Sequence, residues 1–215
     1  MIKGIIFDMD GTLADTIPTH YQIWKQIGKE FNFPMNKNIF DSVNGMKTLN
    51  MAKKLVDKYH LKISPKTITT KKTEIALEKI KREGINLFPK TLDVLKKLKQ
   101  AGFKIALGTS SNREQMELTM KPYLKKIKFD TIITAEEIKH AKPAPDIFLK
   151  CAKEMNLNPQ ECIVVEDAVL GIEASKNANM KVIAITNTTK RDKLQGADKI
   201  ISKIEEINTK LIKNL

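Results

Sequence analysis

The sequence predicts an α/β protein, a doubly wound parallel sheet with a block of helices inserted after its first strand. Two observations predict it. Short apolar runs at Gly4–Phe7, Phe103–Gly108, Thr131–Ile133, Cys162–Val165, Val182–Ile185 and Lys199–Ile201 are separated, after the first, by stretches of helical periodicity. Strand–helix alternation of this kind builds a parallel sheet covered on both faces. Between Asp15 and Gly84 the pattern is almost wholly helical, with few strand-like runs.

Each element has its own local reason. Gly4-Ile5-Ile6-Phe7 has no polar alternation, as expected of a strand buried on both faces. Thr16 and Pro18 can open a helix that carries Ile23, Trp24, Ile27 and Phe31 on one side. Leu49, Ala52, Leu55 and Val56 mark a second helix. Ser64-Pro65 is an N-cap followed by a first-turn proline, leading into Ile68, Ile75, Ala76 and Ile80. Leu87-Phe88-Pro89 restarts the alternation, and Leu92, Leu95 and Leu98 form a stripe ending near Gly102. The expected division is a core of residues 1–14 and 86–215 and a helical insert of residues 15–85. Hinges are expected near Ala14–Thr16 and Gly84–Pro89.

Composition narrows the function classes. A chain of 215 residues with 41% hydrophobic side chains can bury a sizeable core. No run is long enough to span a bilayer, and Lys3 is followed by only a short apolar stretch before Asp8, so neither membrane nor leader is expected. Cys151 and Cys162 fall in apolar patterns without metal spacing, which fits reduced core thiols in a cytoplasmic protein. The net charge of +13 raises nucleic acid as a partner. Against it, only Arg82, Arg113 and Arg191 among the 38 basic residues are arginine, and no basic run is interleaved with aromatics. Residues 14–86 hold 14 basic and 7 acidic residues, a surplus that solvated helix faces explain. No nucleic-acid partner is expected, and the chain is read as a monomer.

The chemistry concentrates at the ends of the strand runs. Asp8-Met9-Asp10-Gly11-Thr12 follows the first run, placing two carboxylates where open α/β sheets bind their ligands. Gly11 lets backbone approach a ligand closely. The plainer reading is a surface turn with two solvated aspartates, but three more segments share the pattern. Thr109-Ser110-Ser111-Asn112 follows the second run, and Glu166-Asp167 follows Cys162–Val165. Lys142-Pro143-Ala144-Pro145-Asp146 opens an apolar-striped helix between them. Taken alone, Lys142 is one more solvated lysine, and Glu166-Asp167 is an acidic pair favoured at a helix N-terminus.

In order and spacing these segments resemble the four motifs of the haloacid dehalogenase superfamily, which includes many phosphatases. The resemblance runs over nearly the whole chain. It implies a Rossmann-like core with an α-helical cap, Asp8 as nucleophile, Asp10 as general acid/base, and Thr109 and Lys142 as phosphate-binding groups. It also implies a Mg²⁺ cofactor held by Asp8, Asp10 (through its carbonyl), Glu166 and Asp167. The chemistry explains these types. A phosphate monoester dianion repels a carboxylate, and a hard dication screens that repulsion. Attack by a carboxylate divides a slow hydrolysis into two easier steps.

In such enzymes the cap selects the substrate. His20 and Trp24 lie one helical turn apart, and both match β-phosphoglucomutase-like members. The plainer alternative is a packed aromatic beside a satisfied histidine. Asn44-Gly45 and Lys72-Thr73-Glu74 fall where a cap meets its substrate, and Ser110 and Asn112 are candidates on the core side. Thr48 stands where the sugar mutases place an arginine for a second phosphate, which weakens the mutase reading. Together with His140-Ala141-Lys142-Pro143-Ala144-Pro145, the pattern resembles bacterial fructose-1-phosphate phosphatases. The sequence is therefore read as a Mg²⁺-dependent phosphatase of a small phosphorylated substrate, a sugar phosphate, with β-phosphoglucomutase second and a non-enzymatic anion- or nucleic-acid-binding protein a distant third.

Overall fold

The computed structural model describes residues 1–44 and 46–215. Six parallel strands form one sheet: β1 (Gly4–Phe7), β2 (Lys104–Gly108), β3 (Thr131–Ile133), β4 (Cys162–Glu166), β5 (Lys181–Ile185) and β6 (Lys199–Ile201). Their spatial order is β3-β2-β1-β4-β5-β6. The chain order reverses at β1, which pairs with β2 on one side (Ile5 beside Ile105) and β4 on the other (Ile5 beside Ile163).

Successive side chains point to opposite faces of the sheet. Ile5, Phe7, Leu107, Val165 and Ile183 enter one core with α5 (Thr91–Gln100), α6 (Arg113–Leu124) and α9 (Thr209–Lys213). Ile6, Ala106, Val164 and Val182 enter the other with α7 (Asp146–Glu154) and α8 (Val169–Asn177). Cys151 on α7 and Cys162 at the start of β4 are free, buried thiols of this second core. Burial pushes the Cys162 thiol up to about 11.

Residues 17–83 form α1 (Ile17–Glu30), α2 (Lys37–Asp41), α3 (Thr48–Tyr59) and α4 (Pro65–Glu83). They share a third core of their own, including Trp24, Ile27, Phe40, Leu55, Ile68 and Ala76. Pro18 stands in the first turn of α1, and the Ser64 side chain caps α4 by accepting from the Thr67 N–H. Ile80, near the end of α4, reaches into the first sheet core instead. The two connections to the sheet run antiparallel: Asp15 N–H donates to Asn86 O at 2.9 Å, and Phe88 N–H donates to Leu13 O at 2.9 Å. Among the described residues no helix is long and apolar enough to cross a membrane.

Candidate active site

The site lies where the strand order reverses, the position at which doubly wound sheets bind ligands. Asp8 leaves the end of β1, Thr109 the end of β2, and Glu166 is the last residue of β4. Lys142 comes from the segment ahead of α7. Its buried Nζ donates to Asp8 Oδ1 at 2.6 Å and to Glu166 Oε1 at 2.5 Å. The other Glu166 oxygen accepts the N–H groups of Asp167 (2.9 Å) and Ala168 (3.0 Å) at the entry to α8. Asp167 accepts hydroxyls from Thr12, at 3.0 Å, and from Thr188. The backbone is close enough that glycine is required at two places. A Cβ on Gly171 would stand 1.9 Å from the Glu166 carboxyl carbon, and Gly11 has a φ of 85°.

Asp8, Glu166 and Asp167 bring carboxylate oxygens within 4.8 Å of one another, all buried. Burial lifts the Asp8 carboxyl well above its ordinary value; Lys142 opposes the rise, while Glu166 and Asp167 add to it. Burial and the charge of Glu166 push Asp167 up to about 7, against its hydrogen bonds from Thr188 and Thr12. Burial would weaken the Lys142 ammonium, but Asp8 and Glu166 reverse that and hold it charged far above its usual range. Three carboxylates against one ammonium leave a hard, oxygen-lined, electron-rich pocket. This donor set fits Mg²⁺ and lacks the soft ligands that favour zinc.

Asp10 is turned away from that cluster. Its Oδ2 accepts from Ser111 Oγ at 2.7 Å and Thr109 Oγ1 at 3.3 Å, and its Oδ1 lies 3.3 Å from His20 Nε2. Burial alone would raise Asp10, but the hydrogen bond and charge of His20, with Ser111, hold it well below the ordinary carboxylate range. His20 itself is lowered by burial and by the charge of Lys72, a shift that its contact with Asp10 opposes. These contacts favour the ionised form of Asp10. As a general acid it needs a proton that these contacts disfavour.

A cavity of about 80 Å³ separates core from cap. Asp8, Asp10, Ser111, Lys142, Glu166 and Asp167 face it from the sheet, and His20, Trp24, Phe40, Thr48 and Lys72 from the helices. Burial lowers Lys72 to about 8, with Asp10 partly restoring it. Trp24 is only 1% exposed, so it serves the cap core as well as the cavity wall. Asn44 and Ser110 also line the cavity. Gly45 lies outside the described residues.

Asn112, a candidate substrate-binding residue by sequence, is placed otherwise. Its side chain accepts from Gln115 N–H at 2.8 Å and caps α6. Thr73 donates its hydroxyl to Thr69 O within α4, and Glu74 is exposed. Ser111 and Thr188 are contacts that motif reading passed over. Ser111 is signalled only by its place two residues after Thr109. Thr188 sits in a loop without periodicity and carries no signal in the sequence.

The sequence profile described as haloacid dehalogenase-like hydrolase matches residues 5–185. The fructose-1-phosphate phosphatase YqaB of Escherichia coli is 32% identical over 182 residues, covering 85% of this chain and 95% of that protein. The β-phosphoglucomutase of Bacillus subtilis is 25% identical, covering 98% of this chain and 94% of its own. A HAD hydrolase of Entamoeba histolytica superposes with a TM-score of 0.88 at 24% identity, over 99% of this chain and 98% of that one, a likeness of fold. With that profile spanning most of its length, the chain belongs to the haloacid dehalogenase-like hydrolase family.

Proposed function

We propose that the protein is a Mg²⁺-dependent sugar-phosphate phosphatase working through an aspartyl phosphate on Asp8, with residues 1–14 and 86–215 as catalytic core and 15–85 as substrate-selecting cap. The observation that carries this reading is the bridge of Lys142 between Asp8 and Glu166, set across one cavity from His20 and Lys72. Asp8, Glu166 and Asp167, with the Asp10 carbonyl, would hold a dication, which would supply the positive charge that lets a carboxylate approach a phosphate dianion. Asp8 attacks phosphorus as the sugar alkoxide leaves. Lys142 and Thr109 offset charge on the phosphoryl oxygens. For the first step Asp10 gives up its contact with His20, takes up a proton from solvent and passes that proton to the leaving oxygen. For the second, the Asp10 carboxylate takes a proton from the water that attacks the aspartyl phosphate. Lys72, without an ion-pair partner among the described residues, is available to the substrate's oxygens. Two buried thiols fit a reducing, cytoplasmic setting, and a monomer holds every residue this mechanism uses.

The β-phosphoglucomutase similarity favours one competing reading, in which the phosphate is retained and returned to a second sugar hydroxyl. Thr48 offers that wall a hydroxyl where a mutase needs a guanidinium for a second phosphate. The test is phosphate release across a panel of phosphorylated sugars, including fructose 1-phosphate and β-glucose 1-phosphate. Stoichiometric phosphate without a bisphosphate requirement is expected. Faster conversion of β-glucose 1-phosphate to glucose 6-phosphate than release of phosphate, with activation by a bisphosphate, would overturn the hydrolase reading.

A further inference from the structure

The loop after β5, residues 186–190, belongs to none of the four motifs, yet it braces the carboxylate cluster from behind. Asn187 Nδ2 donates to the carbonyl oxygens of Gly11 at 3.0 Å and Thr12 at 3.4 Å. Thr188 Oγ1 donates to Asp167 Oδ2, while Thr12 Oγ1 donates to Asp167 Oδ1 at 3.0 Å. Each oxygen of Asp167 therefore accepts a hydroxyl from a different loop. The packing is close: a Cβ on Gly11 would lie 2.3 Å from Asp167 Oδ2 and 2.9 Å from Thr188 Cγ2.

We propose that Thr188 and Asn187 are positioning residues for the divalent cation, Thr188 by fixing the plane of the Asp167 carboxylate and Asn187 by fixing the Gly11–Thr12 turn that brings the second hydroxyl. This rests on the metal reading given above. The terminal torsion of an aspartate is broad, so an unbraced carboxylate must be ordered by the ion itself. Outer partners that orient a ligand typically change metal affinity by about 10- to 100-fold. Thr188 touches neither Asp8 nor Lys142 by hydrogen bond, so its loss falls on cation affinity before turnover.

The experiment is calorimetric titration of MgCl₂ into the metal-free full chain, for the wild type and for Thr188→Val, Thr188→Ser and Asn187→Ala. Thr188→Val is expected to weaken Mg²⁺ binding by about 10-fold or more, with Ser restoring most of it and Asn187→Ala giving a smaller loss. The KM for Mg²⁺ is expected to rise by more than kcat falls. Wild-type affinity in both Thr188→Val and Asn187→Ala overturns the proposal alone. Failure of the wild type to bind Mg²⁺ overturns the metal reading and the proposal with it. Metal-free melting curves identify a variant that does not fold, in which case the other two decide.

Discussion

Replacing Lys142 with methionine removes a charge while nearly keeping a shape, and the result can be worked from the site. The Lys142 side chain is 4% exposed and its partners Asp8 and Glu166 are 8% and 2% exposed, with contacts of 2.6 and 2.5 Å. The variant leaves Asp8, Glu166 and Asp167 without their only close cation among the described residues. Breaking a buried ion pair by removing one partner costs about 3–5 kcal/mol. For a chain of this size each kcal/mol moves Tm by about 2–4 °C, so Lys142→Met should lower the metal-free Tm by about 6–20 °C. The loss should shrink toward pH 5, because protonation of Asp8 and Asp167 removes repulsion that the lysine had offset. Mg²⁺ should recover more Tm in the variant than in the wild type, and turnover should stay negligible. The assay is differential scanning fluorimetry in EDTA and in MgCl₂, at pH 5 and 7. A metal-free Tm at pH 7 within 2 °C of wild type would refute the reasoning.

Further outcomes follow from the same geometry. Asp8→Asn is nearly isosteric, so it should fold with an unchanged circular dichroism spectrum and lose essentially all turnover; a folded variant with comparable kcat excludes Asp8 as nucleophile. Asp10→Asn should lose about 10²–10⁴ in rate on sugar phosphates and less on an aryl phosphate with a good leaving group; equal losses on both substrates would argue against proton transfer by Asp10. Asp8 and Asp167 bind protons more tightly folded than unfolded, so their contribution is complete below the ordinary value of 3.8 and is lost as pH rises toward about 7. The metal-free Tm should therefore fall between pH 5 and 7, and saturating Mg²⁺ should flatten the decline; a rise over that interval contradicts the assigned burial.

The sheet was legible because its strands are short, apolar and well separated. All six apolar runs became strands, and Ser64-Pro65 opened α4 as its side-chain chemistry requires. α2 escaped notice because five residues, Lys37–Asp41, are too few to show a period. α6 was obscured by Pro122 and by a buried face that includes Gln115 and Thr119. At the site, the motif residues fall at strand ends, where sequence position and spatial position nearly coincide. Asn112 shows the limit of that rule. An asparagine three residues before a glutamine has the spacing of a helix cap, and the cap took it. The Thr188 contact was invisible because it joins segments 21 residues apart in sequence through a loop with no pattern of its own.

The central place of β1 has a consequence for synthesis. β1, which leads into Asp8, is made before both its neighbours, β2 and β4, and Lys142 reaches Asp8 across 134 positions. At about 5–20 residues per second, β4 follows β1 off the ribosome by roughly 8–30 s. For that interval β1 is an apolar segment with at least one open edge, the kind of surface on which nascent chains aggregate. The helices of residues 17–83 share a core of their own and emerge meanwhile, so they can collapse locally before the sheet closes. The partial chain carries Asp8 but no active site until almost four-fifths of it exists.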